Sequence, residues 1–382
     1  MPLNAAGITA LLDLGAAAPL WFGIGNGPDA ADQISDTRIR PTWTGPIDGA
    51  LTAEDQPLEF TGTNGGTASH LLVFSAATAG TFYGYVQLTG DPLFSADGRF
   101  NVSGLTVSAA IGADVPSGFP QAANTGLAGV GMTEDDLTLY DGPGGYDQGG
   151  PFLLEDLLIN DDIRLYNSVE MTIRRCKING HVDIDSANAS LTMEDTHVDA
   201  STWPNAAVGF QNMTITRCDI EGGTTAVNAS INVTVEDSYL HGQRISETGQ
   251  DHAGGFLCSG GHDITLTHNT IVVDVLDNGF GGGPSNNLNL FGDFAQLVDI
   301  TIDGNFFPVT AGGYSVSLGH NPSKPFGDDP TNIVFTDNVL ARDPDTGKGG
   351  VFGTTTSFLA GNGNVYSGNV WEDDGTPVPV NE

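Results

Sequence analysis

The sequence predicts an all-β chain: a small N-terminal β domain with one short helix, followed by a right-handed parallel β-helix of about eight coils. Three observations lead there. Gly occupies 53 of 382 positions and Asn and Asp recur throughout, a composition suited to many tight turns. No long helix-forming stretch follows the first twenty residues. From about residue 151 onward, one eight-residue pattern returns again and again.

Taken in order, residues 3–18 (LNAAGITALLDLGAAA) read as the single helix, with Asn4 as its N-cap and Gly15 near its end. Strand-like runs follow at 58–62 (LEFTG), 70–76 (HLLVFSA), 81–88 (TFYGYVQL) and 98–109 (GRFNVSGLTVSA). Gly, Pro and Asp interrupt them, which predicts a small antiparallel β domain over residues 1–112. Residues 113–150 shift to Pro, Gly, Ala and Asp and read as a linker or the irregular entry to the next domain, 151–382.

The repeat in that domain is apolar–Thr–apolar–x–x–small polar–x–apolar. Its copies are MTIRRCKI (171–178), LTMEDTHV (191–198), MTITRCDI (213–220), VTVEDSYL (233–240), ITLTHNTI (264–271), ITIDGNFF (300–307) and IVFTDNVL (333–340), with a weaker NVYSGNVW (364–371). First and third residues point one way and the second the other, as in a half-buried strand. One such strand cannot bury its apolar face alone. Stacked at about 4.8 Å per turn, successive copies bury a continuous column. Intervals of 20 and 22 residues suit a minimal coil, and the later ones of 31–36 residues hold protruding loops. The sixth position reads Cys176, Thr196, Cys218, Ser238, Asn269, Asn305, Asn338 and Asn369, a series of small side chains able to hydrogen-bond along the stack as a ladder.

Charge and thiols bound the function. Twelve basic against 47 acidic residues leave a formal charge of −35, which disfavours nucleic acid and anionic membranes as partners. Acidic turn residues or a saline habitat account for such a surface as well as cation binding does. Three cysteines at wide spacing form neither a disulfide framework nor a zinc site. The apolar run from Ala5 to Leu20 lacks a basic flank and is broken by Asp13, so no signal peptide is expected and synthesis is expected in a cytoplasm. No run is long enough to insert in a bilayer.

Two resemblances attach to these segments. LNAAGITALLDLGAAA, HLLVFSAATAGTFYGYVQL and FSADGRFNVSGLTVS resemble the N-terminal domain of actinobacteriophage minor tail and tail-fibre proteins. SGFPQAANTGLAGVGMTEDDLTLYDG (117–142) is similar to the segment preceding β-helices in actinobacterial and phage proteins. EDSYLHG (236–242), DHAGGFLCSGGHDITLTHNTI (251–271) and DFAQLVDITIDGNFF (293–307) resemble those pectate-lyase-like β-helices. The resemblance implies a virion tail fibre or tailspike, commonly a homotrimer, joined to other tail proteins by its N-terminal domain and meeting a host glycan through its loops. The alternatives are a polysaccharide depolymerase, lyase or hydrolase, and a purely structural or decoration protein. Relatives carry His-Ser-Asp-Gly where this protein has His252-Ala253-Gly254-Gly255, a loss of polar groups that tilts the reading toward binding rather than catalysis.

Candidate groups cluster at the first long loop. His241, Arg244, Glu247, Asp251 and His252, joined by Asp277 and Asp293 from later loops, carry the residue types of a β-elimination or hydrolytic site. As an enzyme, the protein would use Arg244, Asp251, His252 and Asp293; otherwise they are solvated loop residues. Aromatic candidates for stacking on sugars are Tyr239, Phe256, Phe280, Phe291 and Tyr314, with Trp203 and Trp371 beside them. No cofactor is expected. Calcium is the one ion the Asp-rich loops (Asp161-Asp162, Asp328-Asp329, Asp343 with Asp345) would suit, although none matches a known calcium loop.

Overall fold

The computed structural model describes residues 20–27, 29–41, 43–47, 50–53, 57–62, 67–88, 93–102, 106–108, 115–245, 252–275, 283–344 and 346–380. The helix expected over residues 3–18 lies outside them. Two compact units make up the protein, Met1–Ala110 and Ile111–Glu382. Regular structure is almost entirely β, and the one α-helix among the described residues is the single turn Gly126–Gly129.

The first unit is antiparallel. Trp21–Gly25, His70–Phe74 and Phe82–Gln87 form one sheet, while Leu58–Thr61 pairs with Arg99–Val102. Alternation decides the faces: Leu58 and Phe60 are buried and Glu59 and Thr61 are exposed. Phe22, Ile24, Phe60, Leu71, Val73 and Phe100 build its core. A third sheet joins Trp43–Ile47, Ala50–Ala53 and Thr106–Ser108.

The second unit is built from large parallel sheets. Among the described residues, one has 14 strands and the other 10 short ones. In the larger sheet the first residues of the repeat pair in unbroken register: Met171, Leu191, Met213, Val233, Ile264, Ile300 and Ile333. Each is at most 2% exposed. The eighth residues form the equivalent inward column of the short-strand sheet, from Ile178, Val198, Ile220 and Leu240 to Leu340 and Trp371. A slip by one residue would turn every member of these columns outward, so burial itself enforces the register.

Corner residues connect the two sheets. Arg175, Asp195, Arg217, Asp237, His268 and Asp337 all sit at φ between 49° and 55°, and Gly304 and Gly368 take the same place with positive φ. The conformation costs a non-glycine residue roughly 1–2 kcal/mol. Its return is geometric, because it aims the following side chain into the stack. Cys176 N–H donates to Thr196 Oγ1 (3.3 Å) and Cys218 N–H to Ser238 Oγ (3.0 Å). Ser238, Asn269, Asn305 and Asn338 each donate their N–H to the Asn Oδ1 of the next repeat at 2.9–3.0 Å. The Asn Nδ2 groups donate back to carbonyls of the preceding repeat, as Asn305 does to Leu266.

One boundary differs from expectation. The strand Gly145–Glu155 already belongs to the large sheet, so position 151 falls inside an element; its Gly-Gly-Pro sequence is a register shift within the strand and hid it from a composition-based reading. Residues 115–136, within the segment expected as linker or entry to the second domain, run along the short-strand sheet. There Gly126 N–H donates to Arg217 O (2.8 Å), and Phe119 stacks on His268 and packs at a tilt against Phe306, each at 5.4 Å.

Candidate functional site

The outward face of the short-strand sheet carries the densest chemistry. In Lys177–Asn179, His197–Asp199 and Asp219–Glu221 the middle residue is buried, so the flanking positions form two outward columns. One column is Lys177, His197, Asp219 and Tyr239, in register; the other begins Asn179, Asp199 and Glu221. His241 follows Leu240 and extends the second column.

Acid meets base between neighbouring repeats. His197 Nε2 lies 2.9 Å from Glu221 Oε1, and His241 Nε2 lies 2.7 Å from Asp219 Oδ1. Arg244 reaches Asp199 Oδ1 at 2.7 Å and Glu221 Oε2 at 3.7 Å. Tyr239 stacks on the His241 ring at 3.9 Å. Asp274, from the loop above, accepts the Gly242 N–H at 3.1 Å.

These contacts separate the carboxyl groups chemically. Burial opposes ionisation of Glu221, but the His197 hydrogen bond and the charges of His241, His197 and Arg244 outweigh it and bring Glu221 down to about 2. Burial moves Asp274 the other way, above its ordinary value. His241 would be lowered by burial, yet Asp219, Asp274 and Glu221 hold it above its ordinary value. Tyr239 is raised, by burial first and then by Asp274, Asp219 and Glu221.

A second feature lies on loops of neighbouring repeats. Phe326 N–H donates to Gly292 O (2.8 Å), and a Cβ on Gly292 would lie 2.5 Å from Phe326 backbone atoms, so glycine permits the loops to interlock. Lys324 Nζ meets Asp293 Oδ1 at 2.7 Å and stands 5.1 Å from the Phe291 ring centre. Beside this pair, Phe294 is 81% and Phe326 48% exposed.

The sequence-derived candidates scatter. Arg244 is held by Asp199 and Glu221, and Asp293 by Lys324, so the two serve separate clusters instead of one site. His252 is exposed. Glu247, Asp251, Asp277 and Phe280 lie outside the described residues. Phe256 is not a ligand-facing ring: it is fully buried in the inward column Val182, Val208, Val227, Phe256, Leu288, Val316. Trp371 is likewise buried, and Trp203 packs on His181 at 3.9 Å. Tyr239, Phe291 and Tyr314 are partly exposed, Tyr314 lying 6.2 Å from Phe352. Gly254 and Gly255 are both closely surrounded: a Cβ on Gly254 would lie 2.7 Å from Asn289 Nδ2 and one on Gly255 2.6 Å from Asn287 O.

In the Asp-rich loops, Asp161 Oδ1 accepts the Asp162 N–H and Asp343 Oδ1 the Thr346 N–H, each at 2.8 Å, and Asn362 donates to Asp329. Among the described residues no group of three or more His, Cys, Asp or Glu is placed to hold a metal ion, and no helix is long and apolar enough to cross a membrane.

Sequence reasoning passed over Lys177, His197, Asp219, Glu221, Asp274, Phe294 and Phe326. For the first three the signal was present, since all are seventh residues of the repeat and must share a column once copies are aligned. The loop residues had no such signal. No protein-family model matches the sequence, and neither a curated protein nor a solved structure matches it.

Proposed function

We propose that the second unit is a right-handed parallel β-helix whose loops bind a cell-surface glycan, and that the protein serves as a phage tail fibre or tailspike. Handedness follows from the strong preference for right-handed crossovers between parallel strands of one sheet. The virion role rests on the resemblance of the N-terminal segments. In that role, other tail proteins bind the first unit and the protein assembles as a homotrimer, whose −35 charge per protomer makes assembly weaken at low ionic strength.

One observation carries the glycan reading: Phe294 and Phe326 stand exposed around the Asp293–Lys324 pair. A sugar ring presents C–H faces to aromatic rings and hydroxyls to charged groups, and exposed aromatics of this size favour a partner over water. Purified protein should adsorb to the host's wall glycan, and replacing Phe294 and Phe326 by Ala should weaken adsorption about tenfold or more. Unchanged adsorption by the double variant would refute the assignment.

Glu221 and Asp274 favour glycan hydrolysis as a second reading, since their surroundings move the two carboxyl groups in opposite directions, as the acid and base roles of such chemistry require. Release of new reducing ends, abolished by Glu221→Gln and by Asp274→Asn, would establish it. Adsorption without release leaves binding as the function.

A further inference from the structure

The strap formed by residues 115–136 does not seal the sheet beneath it. A cleft of about 310 Å³ remains between them, at the lower end of the range for small-molecule sites, about 300–1,000 Å³. Leu127, Ala128 and Met132 make its strap side apolar, and Lys177, His197 and Asp219 form its sheet side. The strap lies so close here that a Cβ on Gly126 would meet Asp219 Cβ at 2.9 Å.

Lys177 is the unusual member. The residue is 7% exposed, and among the described residues its ammonium has no carboxylate within hydrogen-bond distance. Its contacts there are the His197 ring nitrogens at 3.1 Å and Glu134 Oε1 at 3.9 Å. Since His197 Nε2 also faces Glu221, the tautomer donating there offers Nδ1 to the ammonium. One imidazole nitrogen satisfies one N–H of three. A buried ammonium with spare donors is costly unless an anion completes it.

The cleft also selects the anion. Asp219 is already paired with His241, and Glu134, 60% exposed at its side chain, reaches Lys177 only as a long ion pair of 3.9 Å. With Glu134, Asp219 and Glu221 nearby, a dianionic phosphate meets more repulsion than a single carboxylate does. We infer that this cleft binds a monocarboxylate of sugar size, such as a uronate, with its carboxylate on Lys177 and its apolar side against the strap. The site is separate from the Phe294–Phe326 loops and does not depend on the reading given to them.

The test is saturation-transfer NMR on the full-length protein, with sodium glucuronate as probe and glucose as its neutral counterpart. Glucuronate should receive saturation and glucose should not. Lys177→Met should weaken glucuronate at least about tenfold, the worth of a charge-assisted hydrogen bond. Glu134→Gln removes the competing carboxylate on an exposed side chain and should tighten binding several-fold, which keeps the test decisive should Lys177→Met fail to fold. Gluconate, an acyclic sugar acid, separates two sources of the same chemistry: equal binding assigns a free organic acid, and preference for glucuronate assigns a uronate unit of a glycan. Absence of transfer to glucuronate in both the native protein and Glu134→Gln, or equal transfer to glucose, overturns the inference. So does a folded Lys177→Met variant whose binding equals that of the native protein.

Discussion

The backbone N–H of Asn305 donates to the side-chain Oδ1 of Asn338, one repeat further on, at 2.9 Å. Asn305 in turn accepts from the Asn269 N–H at 2.9 Å and donates Nδ2 to Leu266 O at 2.9 Å. Both residues are fully buried. Replacing Asn305 by Ala therefore orphans the Asn269 N–H, at roughly 1–3 kcal/mol for each buried group left unpaired. Asn305→Ser should cost less, because a hydroxyl already fills this role where Ser238 accepts from Cys218. Chemical denaturation of the two variants checks the order, and equal loss would show that side-chain volume rather than the acceptor matters.

Corner charges should behave as pairs. Asp156–Arg175 and Asp195–Arg217 lie one repeat apart with Nε to Oδ1 at 2.7 Å, and Asp237–His268 at 2.5 Å. Arg217→Glu sets two carboxylates side by side, and after allowance for solvent screening the expected cost is about 1 kcal/mol. Adding Asp195→Arg should recover most of it. The double-mutant cycle measures the coupling directly.

Stability should fall as pH rises through the neutral range. His241 is held above its ordinary 6.5 in the folded protein, so its contribution is complete below 6.5 and is lost as pH climbs through the raised value. Asp274 acts in the same direction, since its raised pKa means that the unfolded state gives up the proton first. Glu221 opposes them only under acid conditions: its contribution is present above 4.5 and is lost as pH falls toward about 2. Melting temperatures between about pH 6 and 9 should decline more steeply for the native protein than for His241→Gln. Parallel slopes would remove His241 from the account.

Thiol reactivity should report unfolding. Cys176, Cys218 and Cys258 are free and buried. Burial pushes the Cys176 and Cys258 thiols up to about 11 and Cys218 up to about 12, so little thiolate exists at neutral pH. A thiol reagent should leave the native protein unlabelled and modify all three only through the denaturation transition. Labelling of Cys258 alone in native buffer would reveal local opening next to the strand Gly254–Cys258.

How much of this was legible differs by position. The period-2 alternation in MTIRRCKI or ITLTHNTI is a local consequence of the pleat, and it repeats because each strand must cover the next. Aligning the copies therefore yields the pairing of Met171, Leu191 and Met213, and the common column of Lys177, His197, Asp219 and Tyr239. The Gly145–Glu155 strand was obscured because a register shift lets Gly and Pro sit inside a sheet.

Sequence alone thus determined the β class, the parallel repeat and its inward residues, because those depend on contacts that recur at a fixed spacing. Tertiary structure alone decided what lies outside the repeat. Phe256 entered the core instead of facing a ligand because its strand begins immediately after the loop, placing it in the inward column with Val227 and Leu288. Arg244 turned to Asp199, 45 positions earlier, and Lys324 to Asp293, 31 positions earlier. The Lys177 cleft exists only because a Gly/Pro-rich segment folds back over the sheet. Loop conformations follow from which neighbours the stack brings within a few ångströms, and no local spacing in the sequence encodes that proximity.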